Sequence, residues 1–306
     1  MAIKNVVVAG GTGALGTPIT NALVQSGFNV TLFTREGSTS TPPAGVTVKQ
    51  VDYKSVDNLK AALAGQDAVV SVLGSFVIGE QKPLAEAAVA SGSTIKRFIP
   101  SEFGINTRQT PGSAIGKILG SKTDLVDFLK DAADKNPNFK WTGISNGHFF
   151  DWGLRHNSLG LNKETHTATI YDSGNERYQT SNLPFVGKAV AAVLKAADTP
   201  ADKTANQYIQ IASFTPTQNE VLAAVQELAP DVKWEVKHAK SAEVQKDGEE
   251  RLSKGDFSSF MPLLSVWQFA DGAGHAPDIK DPAFGNNVLG LQPENLKVAL
   301  AAWLGE

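Results

Sequence analysis

The sequence predicts an α/β protein, a doubly wound parallel sheet with a smaller C-terminal lobe. Three observations predict it. Short β-branched runs lack polar alternation, stretches with apolar residues at three- and four-residue spacing separate them, and the rhythm changes after about residue 150. A continuous apolar run bounded by turn residues suits a strand buried on both faces, and such strands belong to parallel sheets covered by helices. The first is Val6-Val7-Val8-Ala9, which ends in glycines; further strands are expected at 29–34, 46–51, 68–73, 97–99 and 141–144. Helices are expected near 14–25, 56–65, 81–91 and 114–134. This regular alternation implies right-handed crossovers between parallel strands. Beyond residue 150, aromatic residues and polar loops such as Asp172-Ser173-Gly174-Asn175 interrupt it. Two later segments read as returning to the sheet, a helix at 186–197 and a strand at 207–212. A helix opening near Thr217 and a closing helix at 293–304 complete the reading.

Composition narrows the function classes. The 306 residues are 42% hydrophobic and 19% charged, as in ordinary globular proteins. Lys and Arg number 28 against 31 Asp and Glu, a net charge of −3, so no basic field awaits a nucleic acid. With no cysteine, disulfides, a thiolate nucleophile and sulfur-ligated zinc are excluded. The five histidines form no HExxH or HxH pair, and no metal is expected. No apolar run approaches the roughly 20 residues of a bilayer span, and the opening residues lack a basic segment followed by an apolar one. The expectation is a soluble cytoplasmic protein with no membrane partner, a monomer or homodimer.

The strongest local signal is Gly10-Gly11-Thr12-Gly13-Ala14-Leu15-Gly16, between the first strand and its helix. Glycines spaced as Gly10, Gly13 and Gly16 permit a tight turn, a close backbone approach to a pyrophosphate, and close packing of helix on strand. The helix start then offers amide groups and a positive dipole end to the phosphates. This strand–turn–helix context is the one a Rossmann dinucleotide site requires. Which dinucleotide is held depends on the end of the second strand, about 20 residues on. There Arg35 precedes Glu36: a guanidinium suits the 2′-phosphate of NADP, whereas a carboxylate would bind the ribose hydroxyls of NAD. Arg35 coming first favours NADP(H). Asp52, after the third strand, is either an adenine contact or a cap for the helix near Ser55. The expected division is a nucleotide-binding domain over 1–150, joined by 183–213, and a substrate-binding lobe over 151–306.

Lys122 falls on the apolar stripe formed by Ile115, Ile118, Leu119, Leu125, Val126 and Leu129. Two readings stay open. Either the side chain snorkels to water, or its ammonium points into the cofactor crevice, where desolvation lowers its pKa and fits it to proton transfer.

Lys96-Arg97-Phe98-Ile99-Pro100-Ser101-Glu102-Phe103-Gly104, with the glycine turn before it and Lys122 after it, resembles the isoflavone reductase and phenylcoumaran benzylic ether reductase family. This is the NmrA-like branch of the atypical short-chain dehydrogenases. The resemblance implies that NADPH delivers hydride and that Lys122 is the general acid or base. Gln81 falls where the family has a cofactor-contacting glutamine, Phe103 would line the nicotinamide end, and Asn146 joins the cofactor contacts. The segment Ser145-Asn146-Gly147-His148-Phe149-Phe150, with Trp152, would wall the substrate site. Two features depart from relatives: Ile118 stands four residues before Lys122, so there is no Tyr-x-x-x-Lys pair, and His148 and Trp152 stand where plant members differ. Phe257, Phe260 and Trp267 are further candidates for a flat apolar pocket.

The function expected is an NADPH-dependent reductase acting on a small aromatic or conjugated compound. The alternatives are a non-catalytic NADP(H)-binding redox sensor and an isomerase or epimerase with bound cofactor.

Overall fold

The computed structural model describes residues 2–74, 79–197, 199–200 and 202–306. Strand β1 (Asn5–Ala9) leads through the glycine turn into helix α1 (Gly16–Gln25); β2 (Asn29–Thr34), β3 (Thr47–Gln50), α2 (Val56–Ala62), β4 (Ala68–Ser71), α3 (Gln81–Val89) and β5 (Arg97–Ile99) follow. Next come α4 (Ala114–Ile118), α5 (Gly120–Lys135) and β6 (Lys140–Ser145). After the short β7 (His148–Phe149), α6 (Phe150–Arg155), β8 (Leu161–Asn162), β9 (Thr167–Tyr171) and β10 (Thr180–Ser181), helix α7 (Leu183–Ala196) and β11 (Gln207–Gln210) return to the main sheet. The chain closes with α8 (Gln218–Leu228), β12 (Glu235–Ala239), α9 (Ser241–Ser253), α10 (Phe260–Phe269), α11 (Gly285–Leu289) and α12 (Leu296–Leu304).

Seven parallel strands run in the order β11-β6-β5-β4-β1-β2-β3, reversing direction of growth at β1, so this is the expected doubly wound Rossmann sheet. Burial explains the unbroken apolar runs. Val6 and Val8 join α1 and α7 in one core layer, while Val7 and Ala9 join α2, α3 and α5 in the other, and all four are fully buried. A strand whose every side chain has an apolar partner cannot alternate. Edge strand β3 is exposed throughout, and its Thr-Val-Lys-Gln sequence carries the charge that suits an edge. A second core, with Leu161, Tyr178, Phe214, Trp234, Phe269 and Trp303, unites α6, α8, α12 and the three-stranded sheet β12-β9-β8.

Helix 114–134 departs from the expectation and breaks at Leu119 (φ −91°, ψ 6°). Gly116 explains part of it: a Cβ there would lie 2.2 Å from the Thr110 carbonyl oxygen, so α4 is pressed against the 107–110 turn and α5 must start afresh at Gly120. Helix α7 begins earlier than expected, with Pro184 in its first turn. Helix α8 starts where expected, under a capping box in which the Thr217 hydroxyl accepts from the Glu220 amide.

Candidate functional site

One cavity of about 420 Å³ opens beyond the carboxyl ends of β1, β4, β5 and β6, the place where a doubly wound sheet binds ligands. It begins at the glycine turn. Gly13, Ala14, Leu15 and Gly16 line it, while Gly10 and Thr12 lie in the turn behind them. Gly10 has φ +83°, and a Cβ on Gly16 would sit 2.0 Å from the Gly10 carbonyl oxygen, so neither position accepts a side chain. Gly13 differs: its Cβ would meet no atom closer than 3.5 Å. No side chain caps α1, and its first turn holds no acidic residue. The Thr17 amide donates to the Gly13 carbonyl at 2.9 Å and Pro18 has no amide hydrogen, so the amides with no backbone acceptor among the described residues are those of Ala14, Leu15 and Gly16 at the very start of the helix. These three residues line the cavity side of the turn, and residues 10–16 fit a pyrophosphate.

Arg35 stands exposed where β2 ends, outside the cavity; its carbonyl accepts from the Ser38 amide, and among the described residues its guanidinium makes no hydrogen bond or ion pair. Asp52 is exposed too. Its Oδ1 accepts from the Lys54 amide, a local turn, and Ser55 rather than Asp52 caps α2 by accepting from the Asn58 amide.

Three further expected contacts do not line the cavity either. Gln81 is buried, and its Oε1 accepts from the Ser101 amide at 2.8 Å; its Nε2 has no partner among the described residues. Its visible work is to hold the loop after β5. Asn146 is fully buried: Oδ1 accepts from the Gly104 amide at 3.1 Å and Nδ2 donates to the Gly147 carbonyl at 2.9 Å, which ties two loops together. Phe150 is a correction of a different kind, being fully buried edge-to-face against Phe214 in the second core. It is the first residue of α6, and that helix turns its side chain away from the wall its neighbours form.

The rest of the wall is brought together from distant segments. Phe103 lines it from the β5 loop, and His148, Phe149 and Trp152 from the segment after β6. His148 is buried and stacks on Phe269 with ring centres 5.7 Å apart; burial pushes its pKa down to about 4, so the ring is neutral at pH 7. Its Nε2 has no partner among the described residues. Trp152 lies flat on His156, ring centres 4.0 Å apart.

Lys122 belongs to the first turn of α5 and lines the cavity at 7% exposure, so the snorkelling reading fails. Burial lowers its pKa and the charge of Glu102 opposes that fall. Among the described residues its ammonium has no hydrogen-bond partner. A cation at a helix start also meets the unfavourable end of the dipole, which adds to the same tendency.

Helix α10 roofs the cavity with Phe260, Met261, Leu264 and Gln268, of which only Phe260 was expected. Its 260, 264, 268 spacing is one helical stripe, a signal present in the sequence. Phe257 is 62% exposed, and Trp267 stacks on His275 outside this cavity. Among the described residues no group of three or more His, Asp or Glu could hold a metal, and no helix is long and apolar enough to cross a membrane.

Comparison with known proteins agrees with this geometry. Residues 2–229 match the NmrA-like family. The chain is 33% identical to the oxidoreductase aprR of Aspergillus flavus, over 99% of each chain. It is 34% identical to the oxidoreductase poxI of Penicillium oxalicum, over 85% of this chain and 81% of that one. In structure it is similar to leucoanthocyanidin reductase from Vitis vinifera, solved as a binary complex with NADPH, with a TM-score of 0.81 over 99% and 100% of the two chains at 18% identity. The protein belongs to the NmrA-like family, among its isoflavone reductase-like oxidoreductases.

Proposed function

We propose that the protein is an NADP(H)-dependent reductase of small aromatic or conjugated compounds, with Lys122 as its general acid or base. The observation that carries this reading is the placement of a buried, unpaired amine in the wall of the cavity that begins at the glycine turn. The names of the relatives support the oxidoreductase class, and the grape reductase was solved with NADPH. Bound here, a nicotinamide dinucleotide would supply hydride.

The chain's own residues do the rest. The backbone of residues 10–16 would hold the pyrophosphate, and the exposed Arg35 guanidinium would pair with the 2′-phosphate. Lys122 gives or takes the proton that balances charge on the substrate, and its lowered pKa brings it toward the operating pH. Phe149, Trp152, Phe260 and Leu264 make the opening to the second lobe flat and apolar, which selects an aromatic partner and keeps water from the reacting centre. Neutral His148 offers a polar ring atom to a substrate hydroxyl or carbonyl without importing charge. The segment after residue 150 thus contributes Trp152 and the α10 residues to a substrate wall that Phe103, Lys122, His148 and Phe149 begin.

The test is loss of nicotinamide absorbance when NADPH meets a panel of phenylpropanoid ethers, quinones and enones, with wild type and Lys122→Ala side by side. Turnover in the wild type that drops about 10²–10⁴-fold in the variant, with NADPH affinity kept, is the expected result. Equal turnover in both removes Lys122 from the mechanism. Tight NADPH binding without turnover on any compound points to a redox sensor instead.

A further inference from the structure

Behind the wall that carries Lys122 lies a carboxylate whose burial nothing above explains. Glu102 lies three residues past β5 and is 1% exposed. Its Oε2 accepts from the Thr107 hydroxyl at 2.6 Å and from the Tyr208 hydroxyl, and those two hydroxyl oxygens are 2.8 Å apart. Its Oε1 is buried with no hydrogen-bond partner among the described residues. Burying a carboxylate with one oxygen unpaired opposes folding, so the position calls for a role beyond packing. Its neighbours Ser101 and Phe103 line the cavity, as do Thr107 and Lys122. Three separate elements therefore converge to hold one acidic group just behind the wall that carries the amine: the β5 loop, the 107–109 turn and β11.

We propose that Glu102 is a positioning residue for Lys122, its buried carboxylate, clamped by Thr107 and Tyr208, keeping the ammonium charged within an apolar wall. The proposal rests on the reading of Lys122 as the proton-transferring amine. Arg108 lies 5.8 Å from the centre of the Tyr208 ring and pairs with Asp127 of α5 at 2.7 Å, toward solvent. Burial and the neighbouring Glu102 push the Tyr208 hydroxyl far above its usual range, so it stays neutral. His148, on the same cavity, is neutral above about pH 4. Among the described residues, Glu102 is the charged neighbour that opposes the effect of burial on the Lys122 ammonium.

Competitive labelling with acetic anhydride reads this without any substrate, because only the free amine reacts. The intact protein is labelled across a pH series, and the Lys122 peptide is quantified by mass spectrometry. In Glu102→Gln the labelling midpoint of Lys122 is expected to fall by about one pH unit. At a pH below both midpoints that is roughly tenfold faster labelling. Glu102→Met, similar in volume and with no polar group to satisfy, carries the same test if the amide unfolds the loop. An unmoved midpoint in either folded variant overturns the proposal and leaves Glu102 as a loop anchor. A protein that oxidised no NADPH would still give this readout, so failure of the reductase reading and failure of the coupling are told apart.

Discussion

The glycine turn and the substrate-side wall bound one cavity, yet the turn is a single run, residues 10–16, whereas the wall draws on 103–107, 119–122, 147–152 and 260–268. The turn recognises with backbone, so its demands fall on residues that must lack a side chain. The wall recognises with side chains, and each is held by contacts made elsewhere in the chain. Two neighbours show the difference. Phe150 and Trp152 are two residues apart, but one is core and the other faces the cavity.

That contrast can be broken by experiment, and the largest effect is expected at Phe150. Phe150→Ala should cost about 3–5 kcal/mol of stability by removing a fully buried ring. Trp152→Ala should cost less and raise KM for aromatic substrates; denaturant unfolding and steady-state kinetics on both variants decide it. Equal destabilisation would mean that Trp152 is core as well.

At the turn, Gly16→Ala forces a Cβ to 2.0 Å from a carbonyl oxygen and should cost about 3 kcal/mol, seen as a lowered unfolding midpoint without any nucleotide. Gly13→Ala, with no atom nearer than 3.5 Å, should unfold like the wild type yet bind NADPH more weakly by calorimetry. Should the two behave alike, the turn is structural at both places.

His148 sharpens the comparison through pH. Its folded pKa of about 4 lies below the ordinary 6.5, so the unfolded chain binds the proton more readily. Above pH 6.5 the ring is neutral in both states and costs nothing. Between 6.5 and 4 stability should drain away, by about 3 kcal/mol in all. His148→Gln should flatten that limb of the stability–pH curve, measured by denaturant titration from pH 7 to 4.

The smallest effect belongs to Arg35. Arg35→Ala should weaken NADPH about tenfold, leave NADH binding unchanged, and leave stability untouched because the side chain is exposed. Equal losses for the two nucleotides would contradict the NADP(H) assignment.

Much of the fold was readable because its signals are local. The central strands β1 and β4 carry apolar runs, and Thr217 with Glu220 writes a helix start into four residues. The glycine spacing marked the cradle for the same reason. Lys122 was visible as a charge on an apolar stripe, but periodicity left two readings, and only the packing of α4 and α10 around it separates them. Gln81, Asn146 and Phe150 went the other way: amide or ring, each suits a site as well as a core, and hydrogen bonds from residues 20 and 42 positions away, or an aromatic partner 64 away, decided. Glu102 gave no signal of its own, since Tyr208 reaches it from 106 residues on.

By itself the sequence determined the doubly wound sheet, the backbone cradle and an amine out of place among apolar neighbours, because periodicity, glycine geometry and charge act over a few residues. Only the tertiary structure decided which side chains meet in the cavity, which of them lose water, and that a carboxylate stands behind the amine. Desolvation and electrostatic coupling depend on what surrounds a group in space, and the chain brings those surroundings together only when it closes on itself.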